Sequence, residues 1–152
     1  MEQDTIDLLK ELVAIDSQNP SLVPGATGES QVAAYVADWA KGAGLTAEIM
    51  AETPGRPSVV VRSGGSSARS LLLCGHLDTV GVDAIATTGK PAQLAGASYW
   101  ADAAFIAAAG IPTVLFGPDG DGAHAREEWV SLPGTVACAR ALIAAALDFC
   151  GG

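Results

Sequence analysis

The apolar positions of this chain follow two rhythms. Over residues 4–16, Ile6, Leu9, Leu12 and Val13 recur at helical spacing, with Asp4 or Thr5 placed to cap the segment. Asn19-Pro20 and Pro24-Gly25 then end the helix in a loop. The pattern predicts a second helix over 29–43, with Val32, Tyr35, Val36 and Trp39 on one face and Gly44 as its C-terminal stop. Strand patterning follows at 46–51, 58–62 and 70–75, with Gly64-Gly65-Ser66-Ser67 as a turn between the last two. These strands are expected to neighbour one another. Residues 83–98 carry loop chemistry in Thr87, Thr88, Gly89, Pro91 and Gly96. A helix over 101–109 has Asp102 near its start and Gly110 past its end. Residues 112–116 read as a short buried strand, and 117–122 as a glycine- and aspartate-rich loop. Ser131 caps a long Ala-rich helix reaching about Phe149, with Pro133 in its first turn, where proline is tolerated.

Helices alternating with buried strands predict an α/β fold: a three-layer sandwich, with a largely parallel or mixed sheet and helices on both faces. In such sheets the chemistry sits beyond the carboxyl ends of the strands. His76 follows one predicted strand and His124 the one ending at Phe116, so the two histidines of the chain are expected at the same rim.

The stretch LLLCGHLDTV at 71–80 carries the most chemistry. Side chains two apart on a strand share a face, so His76 and Asp78 project together. That pairing suits a metal-binding imidazole whose second ring nitrogen is held by a carboxylate. It also suits a core histidine beside a turn aspartate. Cys74 lies two residues before His76 and is either a thiolate ligand or a buried strand cysteine.

Three segments, in order, resemble a known family: KELVAIDSQNPSLVPGATGESQVAAYVADWAKGAGL from Lys10, LLLCGHLDTVGV from Leu71, and YWADAAFIAAAGIPTVLFGPDGDGAHAREEWV from Tyr99. They look like the two ends of the zinc-dependent acylases and carboxypeptidases, a family that includes acetylornithine deacetylase, succinyl-diaminopimelate desuccinylase and glutamate carboxypeptidases. The resemblance spans nearly the whole chain. It implies that His76 and His124 are metal ligands for zinc or cobalt, and that Asp78 orients His76. Glu128 matches the glutamate four residues beyond the second histidine. Asp102 lies in YWADAA, similar to a YWTDAA-type segment on the family's active-site floor, although helix capping explains it equally well.

The chain departs from the family in its middle. An apparent internal deletion near 82–87 removes the bridging metal aspartate, the Glu-Glu pair that includes the catalytic base, a further carboxylate ligand and the lid or dimerisation domain. The expectation is one compacted catalytic-type domain over 1–152, a metal-dependent amide hydrolase of N-acyl amino acids or peptides with its general base missing. The alternative is a non-enzymatic fold remnant or an engineered minimal scaffold, with at most incidental metal binding. Any zinc is expected to bind weakly, because catalytic zinc needs about three protein ligands and the two histidines supply two. Asp78, Asp102, Glu128 or Cys74 would have to complete the shell.

Composition narrows the partners. With 49% hydrophobic and 16% charged residues, the chain of 152 residues is globular. Its net charge of −9 argues against nucleic acid and anionic membranes. The N-terminus MEQDTIDLLK has no signal-peptide pattern and no run of about 18 unbroken apolar residues occurs, so a cytoplasmic location is expected. The three cysteines, Cys74, Cys138 and Cys150, have no CxxC spacing and are expected to be reduced and mostly buried. No Gly-x-Ser-x-Gly elbow is present, and GPDGDG lacks the Lys-Ser/Thr of a phosphate loop. Loss of a long insert would uncover apolar surface, so self-association is expected.

Overall fold

A computed structural model describes residues 2–64, 69–78, 101–122 and 128–150. Among them are four helices, α1 (Glu2–Ala14), α2 (Ser30–Gly42), α3 (Ala103–Ala108) and α4 (Leu132–Cys150). The strands are β1 (Thr46–Thr53), β2 (Arg56–Arg62), β3 (Gly120–Asp121) and β4 (Trp129–Val130).

The fold is mixed helix and strand, but the expected three-layer sandwich with a parallel sheet is not what forms among the described residues. β1 pairs with β2 antiparallel, from Thr46 opposite Arg62 to Thr53 opposite Arg56, with an irregularity between Met50 and Thr53. β3, which falls within the predicted 117–122 loop, pairs antiparallel with β4 as a second two-stranded sheet. The segments 70–75 and 112–116, expected as buried strands, carry no ladder and face solvent; Leu72 is 71% and Val114 83% exposed. Chain length explains part of this. A parallel pairing needs a crossover of roughly a dozen residues or more, and only residues 63–70 separate β2 from the 71–78 segment.

The hairpin turns through Pro54-Gly55, with Gly55 at φ +77, as a proline followed by a left-handed glycine favours. α2 packs on both of its strands. The buried face of α2 is Val32, Ala33, Ala37 and Ala40. The predicted face is corrected in part: Val32 is buried as expected, but Trp39 is 48% exposed, and alanines rather than aromatics complete the buried face. Alanine lets the helix approach closely but buries little apolar area per residue. α2 ends as predicted: Gly44 at φ +80 donates its N–H to Lys41 O, and Leu45 N reaches back to Ala40 O.

α1 begins at Glu2 among the described residues, so Asp4 and Thr5 lie inside its first turn rather than at its cap. It packs against α4, and Arg140 Nη2 meets Glu2 Oε2 at 2.9 Å. Tyr35 of α2 donates its hydroxyl to Glu11 of α1. α4 is 19 residues long, and by length and composition it is apolar enough to cross a membrane. Only Val136 of α4 is buried, and Ile143, Leu147 and Phe149 are exposed.

Ser131 caps α4 as predicted. It is fully buried, its Oγ accepts from Gly134 N at 3.0 Å, and its carbonyl accepts from Thr135 N at 2.8 Å. Its own N–H donates to Asp119 O at 2.9 Å, which ties the cap to the chain entering β3. Replacing Ser131 by Ala is expected to cost about 1 kcal/mol, or roughly 2–4 °C in Tm, in a thermal melt followed by circular dichroism.

Candidate functional site

The chain 75–78 brings His76 and Asp78 together locally, as the sequence pattern requires. His76 Nδ1 lies 3.2 Å from Asp78 Oδ1. On the other side of the ring, His76 Nε2 lies 3.4 Å from Asp102 Oδ2. Asp102 precedes α3, and its carbonyl accepts from Phe105 N and Ile106 N, yet its side chain makes no capping hydrogen bond. The capping explanation therefore does not account for the carboxylate, which turns to His76 instead.

Asp78 is fastened from behind. Its Oδ2 accepts from Asn19 Nδ2 at 2.7 Å and lies 3.5 Å from Arg56 Nη2. Arg56 Nη1 donates to Asn19 Oδ1 at 3.2 Å, and Arg56 Nη2 sits 2.8 Å from Glu29 Oε1. Glu29 is only 3% exposed. Its ion pair with Arg56 is close but out of hydrogen-bond alignment, so neither Glu29 oxygen nor Arg56 Nε makes an aligned hydrogen bond among the described residues. Backbone shape makes this meeting possible. Gly28, at φ +73, lies where an added Cβ would come 3.4 Å from Gly55 O, so the chain before Glu29 and the turn before Arg56 lie close together.

Burial alone would push the Asp78 carboxyl up. Hydrogen bonds from Asn19 and His76 more than offset it and hold the group below the ordinary carboxylate value. Glu29, Arg56, Cys74, His76, Asp78 and Asp102 line one cleft of about 450 Å³. It holds three carboxylates against one guanidinium and one imidazole.

The geometry around His76 carries a chemical consequence. A neutral imidazole has one N–H and one lone pair. With the N–H on Asp78, the Nε2 lone pair faces the Asp102 oxygen, and two electron-rich atoms meet. A second ring proton satisfies this contact, and so does a cation between the two. Two ligands on a tetrahedral zinc, each at 2.0–2.1 Å, stand roughly 3.3 Å apart. The Nε2–Oδ2 separation of 3.4 Å fits that bite.

Of the other sequence-predicted site residues, His124 lies outside the described residues, as does the apparent deletion near 82–87. The expected approach of His76 to His124 therefore falls outside them as well. Cys74 lines the cleft and is exposed, not the buried thiol expected. Cys138 and Cys150 are half-buried, and all three cysteines are free. Glu128 is exposed and does not line the cleft. Among the described residues, no group of three or more His, Cys, Asp or Glu side chains gathers as a metal-ligand set. Sequence reasoning missed Asn19, Glu29 and Arg56. Asn19-Pro20 reads as a helix breaker and Glu29 as a helix start, each locally sufficient, and Arg56 falls between two predicted strands with no signal of its own.

Compared with known proteins, the chain matches no family model, no curated protein and no solved structure.

The lowered Asp78 value sets a sign for acid stability. A carboxyl depressed in the folded state contributes stability above its unfolded value of about 3.9, and that stability is lost as pH falls through the lower folded value. Thermal melts between about pH 5 and pH 2 are expected to show this loss in the wild type and a shallower slope in Asp78→Asn.

Proposed function

We propose that this chain is a compacted catalytic domain of the zinc-dependent acylase and carboxypeptidase family, with part of a metal site retained and hydrolysis of N-acyl amino acids or small peptides impaired. The observation that carries the reading is the His76 ring, held by Asp78 at one nitrogen and facing Asp102 with the other. His76 and Asp102 would hold a zinc or cobalt ion, with His124 as the third ligand the resemblance implies. A bound metal of this kind supplies Lewis acidity and an acidified water. The chain's own residues do the rest: Asp78 orients the imidazole, and the carboxylate excess of the cleft attracts a cation rather than an anion. A positioned general base is what the sequence lacks, since the family's Glu-Glu pair has no counterpart and Glu29 is engaged by Arg56.

Calorimetric titration with zinc, then a hydrolysis assay on N-acetyl amino acids, tests this. Zinc is expected to bind more weakly than the roughly 10–16 kcal/mol of structural zinc sites, and binding should be lost in His76→Ala and weakened in Asp102→Ala. Hydrolysis is expected to fall below that of intact family members by at least the 10²–10⁴ that a general base typically contributes. Absence of zinc binding would leave the non-enzymatic remnant or scaffold as the reading. Metal-dependent turnover abolished by both His76→Ala and His124→Ala would show an intact catalyst.

Exposed apolar side chains at Leu72, Leu73, Val114 and Leu147 support self-association. Sedimentation velocity across a hundredfold concentration range should show a concentration-dependent shift; a strictly monomeric boundary throughout would refute it.

A further inference from the structure

The carboxylate that holds His76 is itself held by two side chains outside the His-x-Asp motif, Asn19 and Arg56, and Glu29 holds the second of these. Asn19 comes from the loop after α1, Glu29 directly precedes α2, and Arg56 opens β2. The two oxygens of Asp78 divide their work. Oδ1 faces His76 Nδ1 at 3.2 Å, and Oδ2 accepts from Asn19 Nδ2 at 2.7 Å. The Asn19 amide has one workable orientation: its Oδ1 accepts from Ser21 N at 2.9 Å and from Arg56 Nη1 at 3.2 Å, which leaves Nδ2 to Asp78. Arg56 is pinned in turn by Glu29 at 2.8 Å.

The two ends of this network differ in burial. Glu29 and Asn19 are 3% and 8% exposed, whereas the His76 side chain is 68% exposed. An imidazole that open to water rotates and exchanges between tautomers unless something fixes it. A fork of guanidinium nitrogens spanning two anchors is a rigid way to fix the carboxylate beside it.

We infer that Asn19, Arg56 and Glu29 are positioning residues: through Asp78 they hold His76 in the tautomer with its proton on Nδ1, so that the Nε2 lone pair faces Asp102. The inference rests on the reading above only for what Nε2 meets; the ring's tautomer is a property of the metal-free protein. A purely structural role for the three residues, holding the α1–α2 loop to the hairpin, would leave the tautomer unmoved once the chain has folded.

The test is long-range ¹H–¹⁵N correlation on ¹⁵N-histidine-labelled, metal-free full-length protein in alkaline buffer, where Nδ1–H and Nε2–H rings give different patterns. With two histidines in the chain, His124→Gln leaves the His76 signals alone. The wild-type ring is expected as the Nδ1–H form. Asn19→Ala strands no charge, and the double variant Glu29→Gln/Arg56→Gln removes both members of the buried pair together, which avoids an uncompensated buried charge. Both are expected to turn the ring toward the Nε2–H form and to lower zinc affinity by about 10–100-fold, the usual consequence of losing a group behind a ligand. A wild-type ring already in the Nε2–H form overturns the inference without any variant. So does an unchanged Nδ1–H ring in folded Asn19→Ala. The two readings fail separately: an Nδ1–H ring that shifts in the variants, in a protein that binds no zinc, keeps the positioning role and sinks the metal site. Zinc binding at His76 with a ring indifferent to the variants does the reverse.

Discussion

Glu29 cannot be buried alone. A carboxylate taken out of water costs several kcal/mol unless a partner charge comes with it, and the partner here is Arg56. That pairing brings the start of α2 against the start of β2, where Gly28 lies close to the Gly55 carbonyl. The arginine then has one face left over. It uses it on Asn19 and Asp78, and so the loop after α1 and the 71–78 segment are drawn to the same point. Four stretches of chain meet at a single guanidinium. Removing Arg56 alone would leave Glu29 buried and unpaired, which is far more damaging than losing the pair.

The remaining packing is thin. α2 rests on the β1–β2 hairpin through alanines, and α1 and α4 contact each other with little burial. The apolar segments 71–74 and 112–116 have sequences suited to a sheet interior but no strands beside them among the described residues. Both strands of a two-stranded sheet are edge strands, and an isolated hairpin is marginal without a helix on its face. The polar network and the small helix-on-hairpin core therefore share the task of defining the fold, and the candidate site lies where the network reaches solvent.

The site was legible in part. The His76–Asp78 pair follows from a two-residue strand-like spacing, and the resemblance of YWADAA to a family segment pointed at Asp102. The structure joins these across the ring at 3.4 Å. Asn19, Glu29 and Arg56 were not legible. For Asn19 and Glu29 the nearest local functions, breaking a helix and starting one, account for the residue type, and Arg56 falls between two predicted strands. Nothing in a single sequence distinguishes a solvated glutamate from one that is 3% exposed.

Local order was readable from the chain alone because it depends on near neighbours: the helical spacing of α1, α2 and α4, the Ser131 cap, the Gly44 stop, and both strands of the first hairpin. The interior face of α2 was not, since 3.6-residue periodicity marks a stripe but does not say which edge of it meets a partner. Nor was the sheet. An apolar run of strand length is equally compatible with a central strand and with an unpaired segment, and pairing depends on what the rest of the chain can deliver beside it. The tertiary structure alone decided that Asp102 turns away from its helix toward His76, and that a side chain 59 positions before Asp78 holds it in place. Both depend on contacts between distant segments, which sequence periodicity does not encode.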